Sequence, residues 1–185
     1  MKPSGIINQY FYAGKIFSLK ITASPGAVIT IDFISHGKQR SKEIPFNVQM
    51  LFNWLDDYSA KKTDSSHKII FTGINETVNP ASCSGKKMIV LDVSGCTENQ
   101  LNVYRELIKV TPGETISYGA LAERSGIARG GRFVGNVMAK NAFPVIIPCH
   151  RVIRGDGSMG NYSGGVDVKR MLLEHEAGGF SPARS

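Results

Sequence analysis

A cysteine followed directly by a histidine, Cys149-His150, is the most reactive pair of residues in this 185-residue sequence. A thiolate is a soft nucleophile, and His150 and Arg151 set positive charge beside it, which predicts a depressed thiol pKa. Neighbours along an extended chain point to opposite sides, so adjacency alone makes no hydrogen bond between the two side chains. Two readings of Cys149 therefore stand: a nucleophile activated by a base, or a buried structural cysteine. Glu176 is the candidate for an acid that orients the histidine. It sits at the edge of an apolar helical stripe formed by Val168, Met171, Leu172 and His175, where a carboxylate turns inward only for a reason.

The approach to this pair is strongly basic. Residues 124–155 contain Arg124, Arg129, Arg132, Lys140, Arg151 and Arg154 and no acid. Bulk charge does not separate the halves, with eleven Lys+Arg against seven acids over 1–95 and eleven against eight over 96–185. A local run of this kind is either a phosphate-binding surface or a solvated face. It overlaps two short helices, predicted over 117–125 and 129–140 and joined at Gly126, which form a helix-turn-helix candidate. That coincidence favours nucleic acid as the partner. The second helix carries Gly130, Gly131, Gly135 and Ala139, small residues that permit close approach of either a ligand or another helix. Only Arg132 and Asn136 on it have side chains suited to reading base edges, so a shallow minor-groove approach fits better than major-groove readout.

Other elements must position these residues. Alternation over 16–22 and 28–34, with Ser24-Pro25-Gly26 between, predicts a hairpin. Val48, Leu51, Leu55 and Tyr58 recur at helical spacing over 46–58, 61–66 is a polar loop, and 88–93 suits a buried strand. Thr97 and Gln100 form a capping box that opens a helix carrying Leu101, Tyr104, Leu107 and Ile108, which stops at Thr111-Pro112-Gly113. An apolar run, Val145-Ile146-Ile147, leads into Pro148-Cys149, and a last helix spans about 167–177. Domains are expected over 1–95 (α/β) and 96–185.

Several classes are excluded. Hydrophobic residues make up 42% and charged residues 20%, a globular balance. No apolar run approaches the ~20 residues of a membrane helix, and the first residues lack a secretory stretch, so a cytoplasmic protein with no membrane partner is expected. Cys83, Cys96 and Cys149 are too few for a disulfide scaffold; Cys83 and Cys96 either pair or stay as buried thiols. A zinc site at Cys149-His150 lacks two ligands at suitable spacing, so no metal is expected. Gly155-x-Gly157-x-x-Gly160 has the form of a dinucleotide fingerprint, but no helix opens at its last glycine and no acid follows at ~20 residues, so no cofactor is expected.

The motif Ile147-Pro148-Cys149-His150-Arg151-Val152 resembles the active-site signature of the 6-O-alkylguanine-DNA alkyltransferases. The resemblance runs with matched spacing through Ser117-Tyr118-Gly119, Arg132-Phe133-Val134-Gly135, Asn141, Gly160-Asn161-Tyr162-Ser163-Gly164-Gly165 and Leu172-Leu173-Glu174-His175-Glu176, roughly 97–178. The first 95 residues match only by position and α/β pattern. The resemblance implies an N-terminal ribonuclease-H-like α/β domain and a mainly helical, winged helix-turn-helix domain. The latter would bind duplex DNA through the minor groove, as a monomer, and flip an alkylated base into a pocket.

Carried onto this chain, Cys149 accepts the alkyl group, His150 relays its proton through water toward Glu176, Asn141 braces the turn, and Tyr118 assists the leaving guanine. Arg132 fills the space of the extruded base, with Arg129, Gly135, Asn136, Tyr118 and Arg151 also on the DNA side. The pocket would be formed by Cys149, Val152, Tyr162, Ser163 and Met138. The implied reaction is a stoichiometric, irreversible repair of 6-O-alkylguanine, with 4-O-alkylthymine as a second substrate. Zinc-binding relatives place ligands in the N-terminal domain; His36, His67 and a late Cys83 do not reproduce that set. Tyr104 stands where many relatives have Trp. Two other classes remain on the residues alone, a lesion-binding module without chemistry and a cysteine hydrolase using Cys149, His150 and Glu176.

Overall fold

The computed structural model describes residues 7–24, 26–35, 38–61, 68–72 and 88–178. The chain divides into two compact units, Met1–Cys96 and Thr97–Ser185, one residue from the expected boundary. Together they make a mixed α/β protein. Among the described residues no helix is long and apolar enough to cross a membrane.

Among the described residues the first unit is a five-stranded sheet with one helix. Strands β1 (Asn8–Ala13), β2 (Ser18–Ala23) and β3 (Val28–Ile34) form an antiparallel meander, and β4 (Lys68–Thr72) and β5 (Met88–Asp92) continue it in parallel, in the order β1-β2-β3-β5-β4. The predicted hairpin is β2–β3; Pro25 of its turn lies outside the described residues, as do most of the predicted 61–66 loop and His36, His67 and Cys83. Helix α1 (Phe46–Ser59) buries Val48, Leu51, Phe52 and Leu55 on one face, the i, i+3, i+4, i+7 spacing of an amphipathic helix. Asp56 on α1 accepts from the Tyr12 hydroxyl of β1 at 3.0 Å and from both terminal nitrogens of Arg40 at 2.9 and 2.7 Å. Burial, with Asp56 adding to it, pushes the Tyr12 phenol up to about 12, so it stays a donor.

The second unit opens with α2 (Glu98–Leu107). Its capping box is formed as the sequence predicts: Thr97 Oγ1 accepts from the Gln100 amide, and Gln100 Oε1 accepts from the Thr97 amide at 2.7 Å. Leu101, Val103, Tyr104 and Leu107 are buried beneath it. A two-stranded parallel ribbon follows, β6 (Ile116–Ser117) paired with β7 (Val152–Ile153), in the register Ile116↔Val152 and Ser117↔Ile153. This ribbon positions the site: it sets the residue after Ser117 beside the chain that leaves Cys149–Arg151. Ser117 also caps α3 (Tyr118–Arg124) through its Oγ, which accepts from the Ala120 amide at 3.1 Å.

Helix α3 ends at Ser125, and Gly126 takes the left-handed φ of 74° that turns the chain toward α4 (Gly131–Ala139). The two readings of the small-residue surface separate here. A Cβ on Gly130 would lie 2.4 Å from Ile127 Cγ2 and 2.9 Å from the Ile127 carbonyl oxygen, so this glycine is required by packing. A Cβ on Gly135 meets nothing within 4 Å, so internal packing does not demand a glycine there.

The last helix, α5 (Val166–Glu176), buries Leu172 and Glu176 of the predicted face, but that face is turned toward Lys169. Lys169 and Leu172 are buried and the Glu176 side chain is 1% exposed, whereas Val168, Met171 and His175 are half-buried. An apolar-periodicity reading passes over a face whose inward residues include a lysine with local partners.

Gly130→Ala should destabilise the protein by about 1–3 kcal/mol through overpacking. Gly135→Ala should be neutral or stabilising by up to about 1 kcal/mol, the ordinary helix-interior gain. Chemical denaturation followed by far-UV circular dichroism checks both, and equal losses would place Gly135 in the packing as well.

Candidate active site

Cys149 begins a turn of 3-10 helix, Cys149–Arg151, wedged between the apolar run and β7. It is 3% exposed yet forms part of the wall of a cavity of about 520 Å³. Asn141 sets the turn that precedes it. Its Nδ2 donates to the Ile147 carbonyl at 2.9 Å and to Cys149 Sγ at 3.0 Å, and its Oδ1 accepts from the Phe143 amide at 3.0 Å. Val145 inside this turn has φ 73°, a left-handed conformation that strains a β-branched residue. The three Asn141 hydrogen bonds close the turn around it and deliver the sulfur to the cavity.

His150 is completely buried, and its Nε2 lies 2.7 Å from Glu176 Oε1. The same carboxylate accepts from Arg151 Nε at 2.9 Å and from Arg151 Nη2 at 2.8 Å. Its Oε2 also accepts from the Gly113 amide at 3.4 Å, and Arg151 Nη1 donates to the Val110 carbonyl. Burial opposes ionisation of Glu176, but hydrogen bonds from His150 and Arg151 outweigh it, and the carboxyl is held well below the ordinary range. Burial pushes His150 down, and Arg151 and Lys169 add to that against the opposing pull of Glu176, so the imidazole is neutral at pH 7. With Nε2 committed as donor to a carboxylate, Nδ1 carries the lone pair, and Nδ1 is buried without a protein partner.

Two expectations need correcting. Arg151 is not on a DNA-facing surface: it is 5% exposed, fixed by Glu176 and the Val110 carbonyl, and its charge is spent on that pair. The Cys149 thiol is also not depressed. Burial raises it above its ordinary value, while donors from Asn141 and Tyr162 and the Lys169 charge pull the other way without prevailing. The positive fields assigned to His150 and Arg151 are absent because one is neutral and the other neutralised.

The remaining predicted residues fall into two groups. Tyr118, Arg132, Gly135, Met138, Tyr162 and Ser163 join Cys149 around the cavity, with Arg132 exposed on α4. Arg129 and Asn136 are exposed at and near α4 but do not line the cavity, and Arg129 has a left-handed φ of 53°. Val152 is also off the wall; it is fully buried and its carbonyl accepts from Lys169 Nζ at 2.6 Å. Of the six cations in the basic run, Arg124, Arg129, Arg132, Lys140 and Arg154 are exposed. Cys96 is free and half-buried; Cys83 lies outside the described residues. Among the described residues no three His, Cys, Asp or Glu side chains are grouped to hold a metal.

The sequence reading missed Lys169. Its Nζ donates to the carbonyls of Val152 and Met159, which ties α5 to both arms of the loop after Cys149, and its charge favours the thiolate. Its only sequence signal is its place three residues before Leu172 and seven before Glu176, on one helical face. Tyr118 is half-buried, and burial together with Cys149 raises its phenol, against a lowering by Arg154, so it remains protonated at neutral pH.

Fold and site together define a buried thiol on the wall of a cavity that opens beside α4. The second unit can be placed more closely. Residues 98–178 match the family described as 6-O-methylguanine DNA methyltransferase, DNA binding domain. The methylated-DNA–protein-cysteine methyltransferase of Methanothermobacter thermautotrophicus is 45% identical over 87 residues, 47% of this chain and 48% of that protein. An O6-methylguanine methyltransferase structure from Mycobacterium tuberculosis, 23% identical, covers 97% of both chains with a TM-score of 0.66. The O6-methylguanine-DNA methyltransferase of Pyrococcus kodakaraensis, 26% identical, covers 92% of this chain and 99% of its own with a TM-score of 0.53. The chain as a whole thus resembles the alkyltransferase family. It spans between 35% and 53% of the length of the first curated relatives it matches.

Two measurements test the electrostatics. The pH–rate profile of Cys149 alkylation by iodoacetamide in the free protein should have its midpoint above the ~8.5 of an ordinary thiol, and Asn141→Ala should move it higher still; a midpoint below about 7 would contradict the site as described. Glu176→Gln should cost about 3 kcal/mol at pH 7, because it leaves the buried Arg151 guanidinium unpaired. The wild-type contribution is complete above the unfolded carboxyl pKa of about 4.3 and is lost as pH falls through the lower folded value. Acid unfolding should therefore steepen below about pH 4 in the wild type, and the variant should lack that component.

Proposed function

We propose that the protein repairs DNA by moving an alkyl group from 6-O-alkylguanine in duplex DNA to Cys149, once per molecule. The observation that supports this most is the hydrogen-bonded set Cys149–Asn141 and His150–Glu176–Arg151 beside a cavity, within a domain of the methyltransferase family. In this reading the sheet unit is ribonuclease-H-like, and α3 and α4 are a winged-type helix-turn-helix that approaches the minor groove. The free space over Gly135 suits a close backbone approach. Arg132 stands in for the extruded nucleotide, whose removal from the stack is cheapest for damaged pairs. The protein acts as a monomer in the cytoplasm, with 4-O-alkylthymine as a second substrate.

The chemistry follows from the protonation states. The thiol rests protonated, which protects it from solvent electrophiles. His150 Nδ1 takes its proton through one bridging water, and the imidazolium is stabilised by Glu176. The thiolate attacks the alkyl carbon in line with the carbon–oxygen bond. A sulfur–carbon bond forms, the carbon–oxygen bond breaks, and the electron pair passes to the guanine. A proton donated through Tyr118 completes the neutral base. The product is a thioether, too poor a leaving group for the acceptor to be regenerated.

Duplex DNA carrying a labelled methyl on the guanine oxygen tests this directly. The expected result is label on Cys149, reaching and not exceeding one mole per mole. Cys149→Ala should lose transfer while keeping affinity within a few-fold, since phosphate contacts dominate binding. Binding without transfer by the wild type would favour the lesion-binding module, and sustained turnover would exclude the acceptor mechanism.

A further inference from the structure

Arg154 is the one cation on the cavity wall besides Arg132, and no function is attached to it by the site described above. It comes two residues after Val152, where the chain leaves β7, and its backbone is pinned in a tight turn: its amide donates to the Ser158 carbonyl at 2.8 Å, and its carbonyl accepts from the Gly157 amide at 3.0 Å. The turn fixes the backbone and leaves the side chain uncommitted. Among the described residues the guanidinium makes no side-chain hydrogen bond and no ion pair within 4 Å, although Asp156 lies close enough to feel its charge. A guanidinium held on a cavity wall without a carboxylate partner has five donors available to whatever enters.

Its position within the cavity is defined by Gly160. A Cβ on Gly160, which has a left-handed φ of 67°, would lie 3.5 Å from the Tyr118 hydroxyl and 3.6 Å from Arg154 Nε. The phenol and the guanidinium therefore flank one point on the wall, and only a glycine leaves that point open. The two groups also sense each other electrically: Arg154 lowers the Tyr118 phenol against the burial that raises it. The Arg154 charge reaches inward to Lys169 as well, on the buried side of the same loop.

We infer that Arg154 is a leaving-group residue: with Tyr118 it forms a two-donor cradle for the purine anion released when the alkyl group passes to Cys149. This rests on the transfer proposed above and deepens it. In that step the carbon–oxygen electron pair moves onto the purine, which is anionic until a proton arrives. A fixed cation there stabilises the charge as it develops. By making the phenol a better acid, it also brings the Tyr118 proton closer in energy to the purine anion that receives it. The alternative anion is a backbone phosphate of the flipped nucleotide, which a free base lacks. The shared wall with Tyr118 and Cys149 favours the purine.

The experiment compares wild type, Arg154→Ala and Arg154→Lys. Each is assayed for label transfer from a 6-O-alkylguanine free base, from its 8-bromo analogue, whose purine anion is intrinsically more stable, and from a duplex containing the lesion. Arg154→Ala should slow transfer from the free base by about tenfold to a hundredfold, below the ~10²–10³ seen for a fully enclosed donor because Arg154 faces solvent. Arg154→Lys should recover most of the rate, and the 8-bromo analogue should shrink the loss. Thermal melting should be nearly unchanged, since the side chain holds no hydrogen bond or ion pair among the described residues. A free-base rate that is unaffected while duplex repair falls would assign Arg154 to phosphate and overturn the inference. Equal losses with both bases would overturn it too. Absence of transfer by the wild type from any substrate would remove the underlying function, a result distinct from either of these.

Discussion

The second unit depends on one buried carboxylate. Glu176 arrives at the end of α5, and its two oxygens accept from a histidine, from an arginine twice, and from the Gly113 amide. Removing these charges from water carries a penalty of several kcal/mol per ion, which is offset only when geometry and remaining hydrogen bonds are complete. Here they are. Arg151 also donates to the Val110 carbonyl, so a single ion pair ties α5, the turn at Cys149, and the chain between α2 and β6 into one assembly. The arginine neutralises the glutamate, so the histidine need not be charged to sit beside it. That division of labour leaves His150 as a neutral base, with its free nitrogen chosen by the bond its other nitrogen makes.

The Cys149 sulfur is set by a different part of the chain. Asn141 closes a strained turn at Val145 and donates to the thiol, and Lys169 on α5 grips the loop that follows through the Val152 and Met159 carbonyls. The β6–β7 ribbon brings Tyr118 into the same cavity as the sulfur. Cys149 and His150 share the 3-10 turn, while Tyr118 and Glu176 come to it from α3 and α5. Burial pushes the thiol up, so it rests protonated in the free protein.

Much of this was legible in residue types and spacing. The capping box at Thr97 and Gln100, the stop at Gly126 and the α1 stripe follow from local chemistry and appear where expected. Strands β1 and β4 went unread. In β1 the strand gains its place from pairing with β2 and from the Tyr12–Asp56 bond to a helix that is 44 residues away. Two side chains of the site misled for one reason. A sequence shows that Arg151 and Lys169 are basic but not which buried oxygens accept from them. Arg151 therefore read as a surface cation, and Lys169 went unread. The thiol shift was misjudged on the same ground, since its sign turns on burial and on a neutralised neighbour, and both are properties of the packed molecule.

Glu176 and Arg151 hold His150 as a neutral base with its proton on Nε2. Nitrogen-15 NMR of the protein labelled at histidine measures this directly, with His150→Asn assigning the resonance. The spectra should show a neutral ring at pH 7 with the proton on Nε2, an unprotonated Nδ1, and titration below the ordinary ~6.5 of histidine. An imidazolium at pH 7, or a neutral ring protonated at Nδ1, would contradict it.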